Sequence, residues 1–259
     1  MSPLWNRARF RVHLGASTLA ACEVRGHGRR RVLARKTLLP FAAGGRAAAL
    51  QALREWIVPG RGASIEWVLG PSDVRYLLLP WSHALADLSL REGVACALFE
   101  QRFREEASAH AVRFAQARYG QPQLAAFVAR PLIADITAHA RDARLRLGSI
   151  APGMAAVWAR FGSVLTREHG VVHLVDGDRQ LAVRHERGQP LDLALRPFDE
   201  ARDASALDAP CAPGVRRCFS CCMPAGGAAF PAHDLKLDDG QGFDATADAA
   251  YAFALCGVF

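Results

Sequence analysis

The feature that most constrains the fold of this chain is a pattern of three short strands that occurs twice. In the first copy, Phe10, Val12 and Leu14 alternate with polar residues, the period of two that is typical of a half-buried strand. Glycine-containing turns then separate apolar stretches at 18–24 and 31–39. The second copy has the same order, with strands predicted at 171–175, 180–185 and 191–195. Each copy predicts an antiparallel meander closed by tight turns.

The segment between the two meanders alternates between strand and helix patterns. Strands are predicted at 64–69, 74–79, 124–129 and 145–150. Apolar residues at helical spacing predict helices at 47–57, 91–106, 131–136 and 154–161. This order predicts an α/β protein with two related parts, 1–165 and 166–259, the first of which contains an inserted strand and helix region at 64–165. In the second, shorter part, residues 197–231 have a loop-like composition, and the alanine-rich residues 245–259 are predicted to form a closing helix.

Four stretches, taken in this order, resemble the duplicated core of the actin/Hsp70-like superfamily. They are VHLGASTLAACEV, SIEWVLGPSDVRYLLLPW, GVVHLVDGDRQLAVRHERG and ADAAYAFALCGVF. Within the superfamily they look most like bacterial assembly proteins such as the type IV pilus protein PilM and the cytoplasmic domain of the type II secretion platform protein L. The resemblance implies a divergent, duplicated ribonuclease H-like βββαβαβ core, a nucleotide site built on two phosphate-binding hairpins, and a surface onto which other assembly components dock.

The first phosphate-binding hairpin departs from the pattern of the family. An intact member carries Asp-x-Gly-x-Ser/Thr, in which the aspartate acts through water and Mg²⁺ and the glycine lets backbone amides approach phosphate. Here Gly15, Ser17 and Thr18 match, but His13 stands where the aspartate would be, and a neutral imidazole is a poor ligand for Mg²⁺. The lysine expected shortly afterwards is also missing, because the next residues are Leu19 and two alanines.

The second hairpin would be Asp176-Gly177-Asp178, but Asp176 stands directly before the glycine rather than two positions before it. An Asp-Gly pair is also a strong signal for a two-residue hairpin turn, which needs no ligand. An ATPase needs a metal ligand, a phosphate cradle and a group that orients water. We therefore expect no catalysis and no bound ATP or Mg²⁺. The alternative is a divergent ATP-binding protein that uses Ser17, Thr18, Asp176 and Asp178 in an unconventional cradle.

A third hypothesis rests on the cysteines near the C-terminal end. Cys218, Cys221 and Cys222, with His233 downstream, could supply four tetrahedral zinc ligands to an interaction module. Their spacing favours incidental thiols, because Cys218 and Cys221 form a single Cys-x-x-Cys pair and Cys222 is the neighbour of one member. The total of seven cysteines is odd and does not suggest a secreted disulfide framework, so reduced thiols in the cytoplasm are expected.

Two further features bear on partners. The formal charge is +7, and basic residues, including Arg29, Arg30 and Arg31, are concentrated at 25–36. Such a cluster can contact nucleic acid or an anionic membrane surface, and the absence of interleaved aromatic residues argues against nucleic acid. Trp81 follows an apolar strand, where a large aromatic residue is expected to belong to the core. If exposed, it would be an anchor for a partner.

Together these features predict a non-catalytic scaffold, a pseudo-ATPase, of a pilus or secretion-type machine. By analogy with the family that it resembles, its partner would be the short cytoplasmic tail of an inner-membrane assembly protein. No apolar run approaches the roughly 18 residues of a transmembrane helix, so a cytoplasmic protein is expected. The basic residues at 29–31 would then contact the inner face of the inner membrane.

Overall fold

The computed structural model describes residues 7–42, 44–60, 62–198, 214–221 and 233–258, and these form three β-sheets. The first sheet has the order β3-β2-β1-β4-β8 and the second the order β11-β10-β9-β12-β13. In each, three antiparallel strands form a meander, and further strands are added parallel to the first strand of that meander. The same topology is therefore present twice, as the repeated three-strand pattern predicts.

The first sheet consists of β1 (Arg9–Leu14), β2 (Thr18–Arg25), β3 (Val32–Pro40), β4 (Ser64–Leu69) and β8 (Arg146–Pro152). One face carries Phe10, Val12 and Trp67, all fully buried. Helices α1 (Arg46–Trp56) and α3 (Arg130–Asp142) cover this face, because Phe10 packs edge-on against Trp56 of α1 and Trp67 against His139 of α3. The opposite face carries Arg11 and His13 and is turned towards the C-terminal residues.

The second sheet consists of β9 (His169–Asp176), β10 (Arg179–Glu186), β11 (Gln189–Pro197), β12 (Val215–Ser220) and β13 (His233–Asp234). Helix α4 (Gly153–Leu165) connects the two sheets in sequence and packs against the second one. Its Trp158 donates a hydrogen bond to the carbonyl of Gly188 at 2.7 Å, and its Phe161 ring lies 5.7 Å from that of Phe219 in β12. The two sheets thus share one large hydrophobic cluster.

The third sheet, of order β5-β7-β6, is antiparallel and is formed by β5 (Arg75–Leu79), β6 (His110–Phe114) and β7 (Gln123–Ala129). Helix α2 (Leu88–Phe103) covers one face of it. The rings of Phe99 in α2 and Phe127 in β7 stack 4.4 Å apart, and they centre a second hydrophobic cluster that is separate from the main one. The inserted region thus carries a small core of its own.

Most of the predicted strands and helices are confirmed to within a few residues at each end. One strand was not predicted, and two predictions need correction. Strand β6 (His110–Phe114) had no prediction. The segment 197–231, predicted to be loop-like, contains strand β12 (Val215–Ser220). The closing helix predicted at 245–259 is much shorter than expected. It is a 3-10 turn at Ala249–Tyr251 followed by α5 (Ala252–Leu255).

The closing helix starts late because aspartates capture the backbone before it. The Asp239 carboxylate accepts from the amide of Ala245, and that of Asp244 accepts from the amides of Thr246 and Ala247. Side-chain oxygens that bind nearby amides in this way compete with helical hydrogen bonds and favour turns. An alanine-rich composition alone could not show this competition.

A buried polar row ties the three strands of the second meander together. Arg196 donates to the side-chain oxygen of Gln180 at 2.7 Å, which turns the Gln180 amide nitrogen towards His173 Nδ1, 2.8 Å away. Because that amide nitrogen can only donate, His173 Nδ1 must be unprotonated. Burial, aided by the charges of Arg196 and Arg216, lowers the pKa of His173 from 6.5 to about 4.

This row predicts a pH dependence of stability. The pKa of His173 is lower in the folded state, so the unfolded state binds the proton more tightly, and stability is lost as the pH falls from 6.5 towards about 4. The variant His173→Gln lacks the titrating imidazole. The slope of its unfolding free energy against pH should therefore be smaller, by about 1.4 kcal/mol per pH unit where the slope is steepest. Urea unfolding across that range measures it. The exposed Gln51→Ala is the control, because it removes no titratable group, and its slope should match that of the unmodified protein. An unaltered slope in His173→Gln would contradict the assignment.

Candidate functional site

The loops of the first hairpin in each meander touch one another. The first loop, residues 15–17, joins β1 to β2, and the second, residues 177–178, joins β9 to β10. A Cβ added at Gly177 would lie 3.7 Å from Ala16 Cβ and 3.9 Å from Ser17 Oγ. Asp176 pairs with Arg179, so the two turn residues are Gly177 and Asp178, and Gly177 has φ +59°, a conformation that favours glycine. The hairpin turn predicted at 176–178 is present, with Asp176 as the last residue of the strand.

The first loop lies where three parallel strands end. Strands β1, β4 and β8 stop in register, and a glycine follows each of them directly: Gly15, Gly70 and Gly153. The carboxyl edge of parallel strands is the usual place for a ligand in α/β folds, and glycines there let a ligand approach the backbone. This edge is therefore where a nucleotide phosphate would be sought.

The side chain of Asp176 occupies that edge. Asp176 is 3% exposed, and a Cβ added at Gly15 would lie 2.7 Å from its Oδ1, while one added at Gly70 would overlap its Oδ2. Cys221, directly after β12, donates to Oδ1 with a sulfur–oxygen distance of 3.3 Å. The carboxylate of the second meander thus packs directly on the glycine backbone of the first sheet.

The backbone amides at this edge are already used within the protein. The amide of Gly15 donates to the carbonyl of Thr18 at 2.9 Å, and that of Gly70 donates to the carbonyl of Leu14 at 2.8 Å. A phosphate cradle depends on amides that point towards the anion. These two amides have carbonyl partners instead.

His13 is buried between the sheets and stacks on a phenylalanine of the C-terminal helix. Its ring lies 4.8 Å from that of Phe253 at an interplanar angle of 22°. Phe253, fully buried, meets Phe219 of β12 edge-on at 4.8 Å. His13 Nε2 also lies 3.6 Å from Asp176 Oδ2, and among the described residues neither atom has a hydrogen-bond partner. The histidine at the position of the expected aspartate is thus part of the packing that joins the two sheets.

Asp73 adds a second carboxylate to this region. Arg46 donates to its Oδ1 at 2.6 Å, while its Oδ2 is buried and has no hydrogen-bond partner in the described part of the chain. Burial raises the pKa of Asp73; the charge of Asp176 raises it further, whereas Arg46 and His13 oppose the rise. The charges of Asp176 and His13 therefore both affect the protonation of Asp73.

The groups predicted for an unconventional ATP cradle differ in exposure. Ser17 and Asp178 are exposed on the loops, and Asp178 lies 3.8 Å from Arg179, whereas Asp176 points inwards. In the ranges that the structure describes, no three His, Cys, Asp or Glu side chains come close enough to hold a metal ion. Asp176 thus lies at the glycine edge where a phosphate would be sought, and His13 stands where the resembled motif has a metal-binding aspartate.

The residues of the zinc hypothesis are described only in part. Cys218 is buried in β12, and Cys221 contacts the Asp176 carboxylate. Cys222 and the side chain of His233 lie outside the described residues. The zinc hypothesis is thus left as a prediction from the sequence.

The basic stretch at 25–36 is largely engaged within the protein. Arg25 donates to Glu23 at 2.6 Å, and Arg35 lies 3.6 Å from the same carboxylate. Lys36 pairs with Asp248, and Arg31 donates to the carbonyl of Val258 at 2.9 Å. Arg30 is exposed at the end of a 3-10 turn and also interacts with another part of the protein. The side chain of Arg29 lies outside the described residues.

Trp81 is on the surface, so the interpretation of this residue as core is wrong. It is 40% exposed, because the chain leaves β5 at Pro80 and carries Trp81 beyond the third sheet. Its ring packs edge-on against His83 at 4.5 Å and Tyr119 at 5.0 Å, and Tyr119 is 79% exposed. We call Trp81, His83 and Tyr119 the aromatic patch.

We call the two touching loops, with Asp176 and His13 at the glycine edge, the hairpin contact. Three residues of this region were not identified from the sequence: Gly70, Asp73 and Phe253. Gly70 carried a usable signal, because it directly follows a predicted buried strand, as Gly15 does. Asp73 and Phe253 carried none, since only the tertiary structure brings them to the carboxyl edge of the first sheet.

Comparison with known proteins identifies the fold. No protein-family model and no curated protein matches the sequence. Among solved structures, the PilM-PilN type IV pilus biogenesis complex superposes with a TM-score of 0.64 at 15% identity, over 95% of this chain and 96% of that chain. The cytoplasmic domain of EpsL, an inner membrane component of the type II secretion system of Vibrio cholerae, gives 0.60 at 12% identity, over 96% and 94%. A Bacteroides thetaiotaomicron protein with an actin-like ATPase fold and unknown function gives 0.56 at 8% identity, over 87% of each chain.

The chain therefore has the actin-like fold that the order of its sequence motifs indicated, and its likeness to pilus and secretion assembly proteins is confirmed at the level of fold. Within the part of the chain that the structure describes, no helix combines the length and hydropathy needed to cross a membrane.

Restoring the aspartate of the resembled motif should destabilise this protein. In His13→Asp, the new carboxylate would be buried close to Asp176 and would lose the stacking on Phe253. Two buried carboxylates raise each other's pKa, so the folded state binds the proton more tightly than the unfolded state does. Stability should therefore fall as the pH rises from about 4 to about 7, by a few kcal/mol in total.

The matched control for this prediction is His13→Asn, which also loses the imidazole ring but adds no charge. Urea unfolding of both variants at several pH values separates the charge effect from the packing effect. Equal slopes of stability against pH in the two variants would show that position 13 does not sense Asp176.

Proposed function

We propose that this chain is a non-catalytic, actin-like scaffold that docks an inner-membrane partner of a pilus or secretion-type machine. The observation that carries the first part is the packing of Asp176 against Gly15 and Gly70. A carboxylate in that position repels phosphate and excludes it sterically. His13, in turn, is committed to stacking on Phe253 and has no oxygen to offer to Mg²⁺.

The fold supports the second part of the proposal. PilM is found in a complex with PilN, and EpsL is an inner membrane component with a cytoplasmic domain. Both superpose on this chain over nearly its whole length. We extend an assembly role of this kind to this chain and place it in the cytoplasm, at the inner face of the inner membrane.

The aromatic patch is the surface that we assign to docking. It borders a cavity of about 320 Å³ that is also lined by Pro80, Arg91 and Arg118. Apolar surface continues onto the first turn of α2, where Leu88 is 58% exposed and Leu90 is 47% exposed. Partly exposed aromatic side chains next to arginine are typical anchors of protein interfaces. The complementary partner is a short segment with an apolar anchor and an acidic residue.

The absence of nucleotide binding can be tested directly. Isothermal titration of the protein with millimolar Mg-ATP should give no saturable heat, and the thermal unfolding midpoint should not shift, because the glycine edge is occupied by Asp176. An actin-like ATPase measured in parallel serves as the positive control. Saturable binding would overturn the non-catalytic assignment in favour of the ATP-binding alternative.

The docking proposal has its own test. The probe is a labelled synthetic peptide that carries one phenylalanine as the apolar anchor and one glutamate, and its binding is followed by fluorescence anisotropy. Trp81→Ala and Tyr119→Ala should each weaken binding about tenfold or more, as expected for anchor residues. Leu195→Ala is the matched control, because Leu195 is also exposed (41%) but lies on the second sheet. Unchanged binding in both aromatic variants would overturn the assigned surface, and no binding of the peptide to the unmodified protein would overturn the partner.

A further inference from the structure

A pocket lined by arginines lies at the opposite edge of the first sheet from the hairpin contact. It is a cavity of about 480 Å³, and its lining includes Arg7, Arg9, Arg31 and Arg146, together with His27. We propose that this arginine pocket binds a phosphate-bearing ligand. It is independent of the docking proposal, because it uses none of the residues of the aromatic patch.

The strand register explains why the arginines meet. Arg9 of β1 pairs with Ser64 of β4, and Ser64 pairs with Arg146 of β8. Residues in register on adjacent strands point to the same face of a sheet. Arg9 and Arg146 therefore flank the small Ser64 side chain in one row, at the edge where all three parallel strands begin.

The other two arginines reach the pocket from outside this row. The Arg7 guanidinium lies against Gly62, where an added Cβ would be 3.2 Å from Arg7 Nε. Arg31 enters from the start of β3 and is held by its hydrogen bond to the carbonyl of Val258. That bond uses a neutral acceptor, so the positive charge of Arg31 is not cancelled. Arg7 and Arg31 thus lie beside the row that contains the other two arginines of the pocket.

The charge balance of the pocket favours an anion. No acidic side chain belongs to its described lining. The nearest carboxylate with a contact to the lining is that of Glu66, which lies 3.6 Å from Arg9 and accepts from Arg11 at 2.6 Å, so one charge serves two arginines. Arg7 and Arg146 are exposed and have no ion pair among the described residues. Within the described ranges, four guanidinium groups are therefore set against one carboxylate, which Arg11 shares.

Arginine and the size of the cavity together indicate the ligand class. Guanidinium groups bind phosphate through paired, charge-assisted hydrogen bonds. A volume of about 480 Å³ lies in the range of small-molecule sites and exceeds the needs of a single inorganic ion. The shared chemistry is one or more phosphate groups on a small organic molecule or on a lipid headgroup.

Binding of inorganic pyrophosphate by isothermal titration tests the soluble source, and co-sedimentation with vesicles of phosphatidylglycerol, against phosphatidylcholine, tests the lipid source. The variant Arg7→Gln with Arg146→Gln removes two exposed charges that have no ion-pair partner in the described ranges, so its thermal unfolding should match that of the unmodified protein. Pyrophosphate or anionic-vesicle binding should weaken about tenfold or more, because two guanidinium groups that form charge-assisted hydrogen bonds with phosphate are lost.

Arg167→Gln with Arg184→Gln is the matched control, because it removes the same charge from exposed positions outside this pocket. If the first double variant does not fold, Arg7→Lys with Arg146→Lys keeps the charge but loses the forked geometry and should still weaken binding. Loss only in the pocket variants supports the site, and the arm that responds identifies the source of the phosphate. The proposal is overturned if neither ligand binds, or if the control variant weakens binding as much as the pocket variant does.

Discussion

The structure depends on one aromatic contact between its two large sheets. Phe253, from a helix of only four residues, has one face against the His13 ring of the first sheet and one edge against Phe219 of the second. This ring thus bridges the two sheets. In the same region the hairpin loops touch, and Asp176 lies against the glycines at the carboxyl edge of the first sheet. The proposed lack of a nucleotide site would then follow from this packing as much as from the departures from the motif.

The topology could be predicted from the sequence because alternation of apolar residues marks each strand of a meander locally, and the meander occurs twice. Prediction failed where tertiary structure overrides local pattern. Strand β12 (Val215–Ser220) carries two arginines in a loop-like context and is a strand because β9 offers it an edge. The site followed the same rule. His13 could be recognised as a departure from a motif, but the stacking on Phe253 and the inward turn of Asp176 depend on residues far apart in the chain.

The hairpin contact, the arginine pocket and the aromatic patch lie in three separate parts of the fold. The hairpin contact is at the carboxyl edge of the first sheet, and the arginine pocket is at its amino edge. Since β1 spans Arg9–Leu14 at about 3.3 Å per residue, the two edges are about 17 Å apart. The aromatic patch belongs to the third sheet, whose small hydrophobic cluster is separate from the main core. A ligand in the arginine pocket therefore need not disturb a partner on the patch.

The packing around His13 also determines how reversible the loss of a nucleotide site can be. An aspartate at position 13 would be of use only if the glycine edge were open, and that edge opens only if Asp176 turns away. Asp176 is held in place by its contacts with Gly15, Gly70 and Cys221, and without Phe253 the shared core would have a cavity. A change at position 13, at Asp176 or at Phe253 is thus unfavourable by itself unless the other two positions have already changed. On the proposed function, the contact would therefore act as an evolutionary ratchet that keeps a chain of this kind non-catalytic.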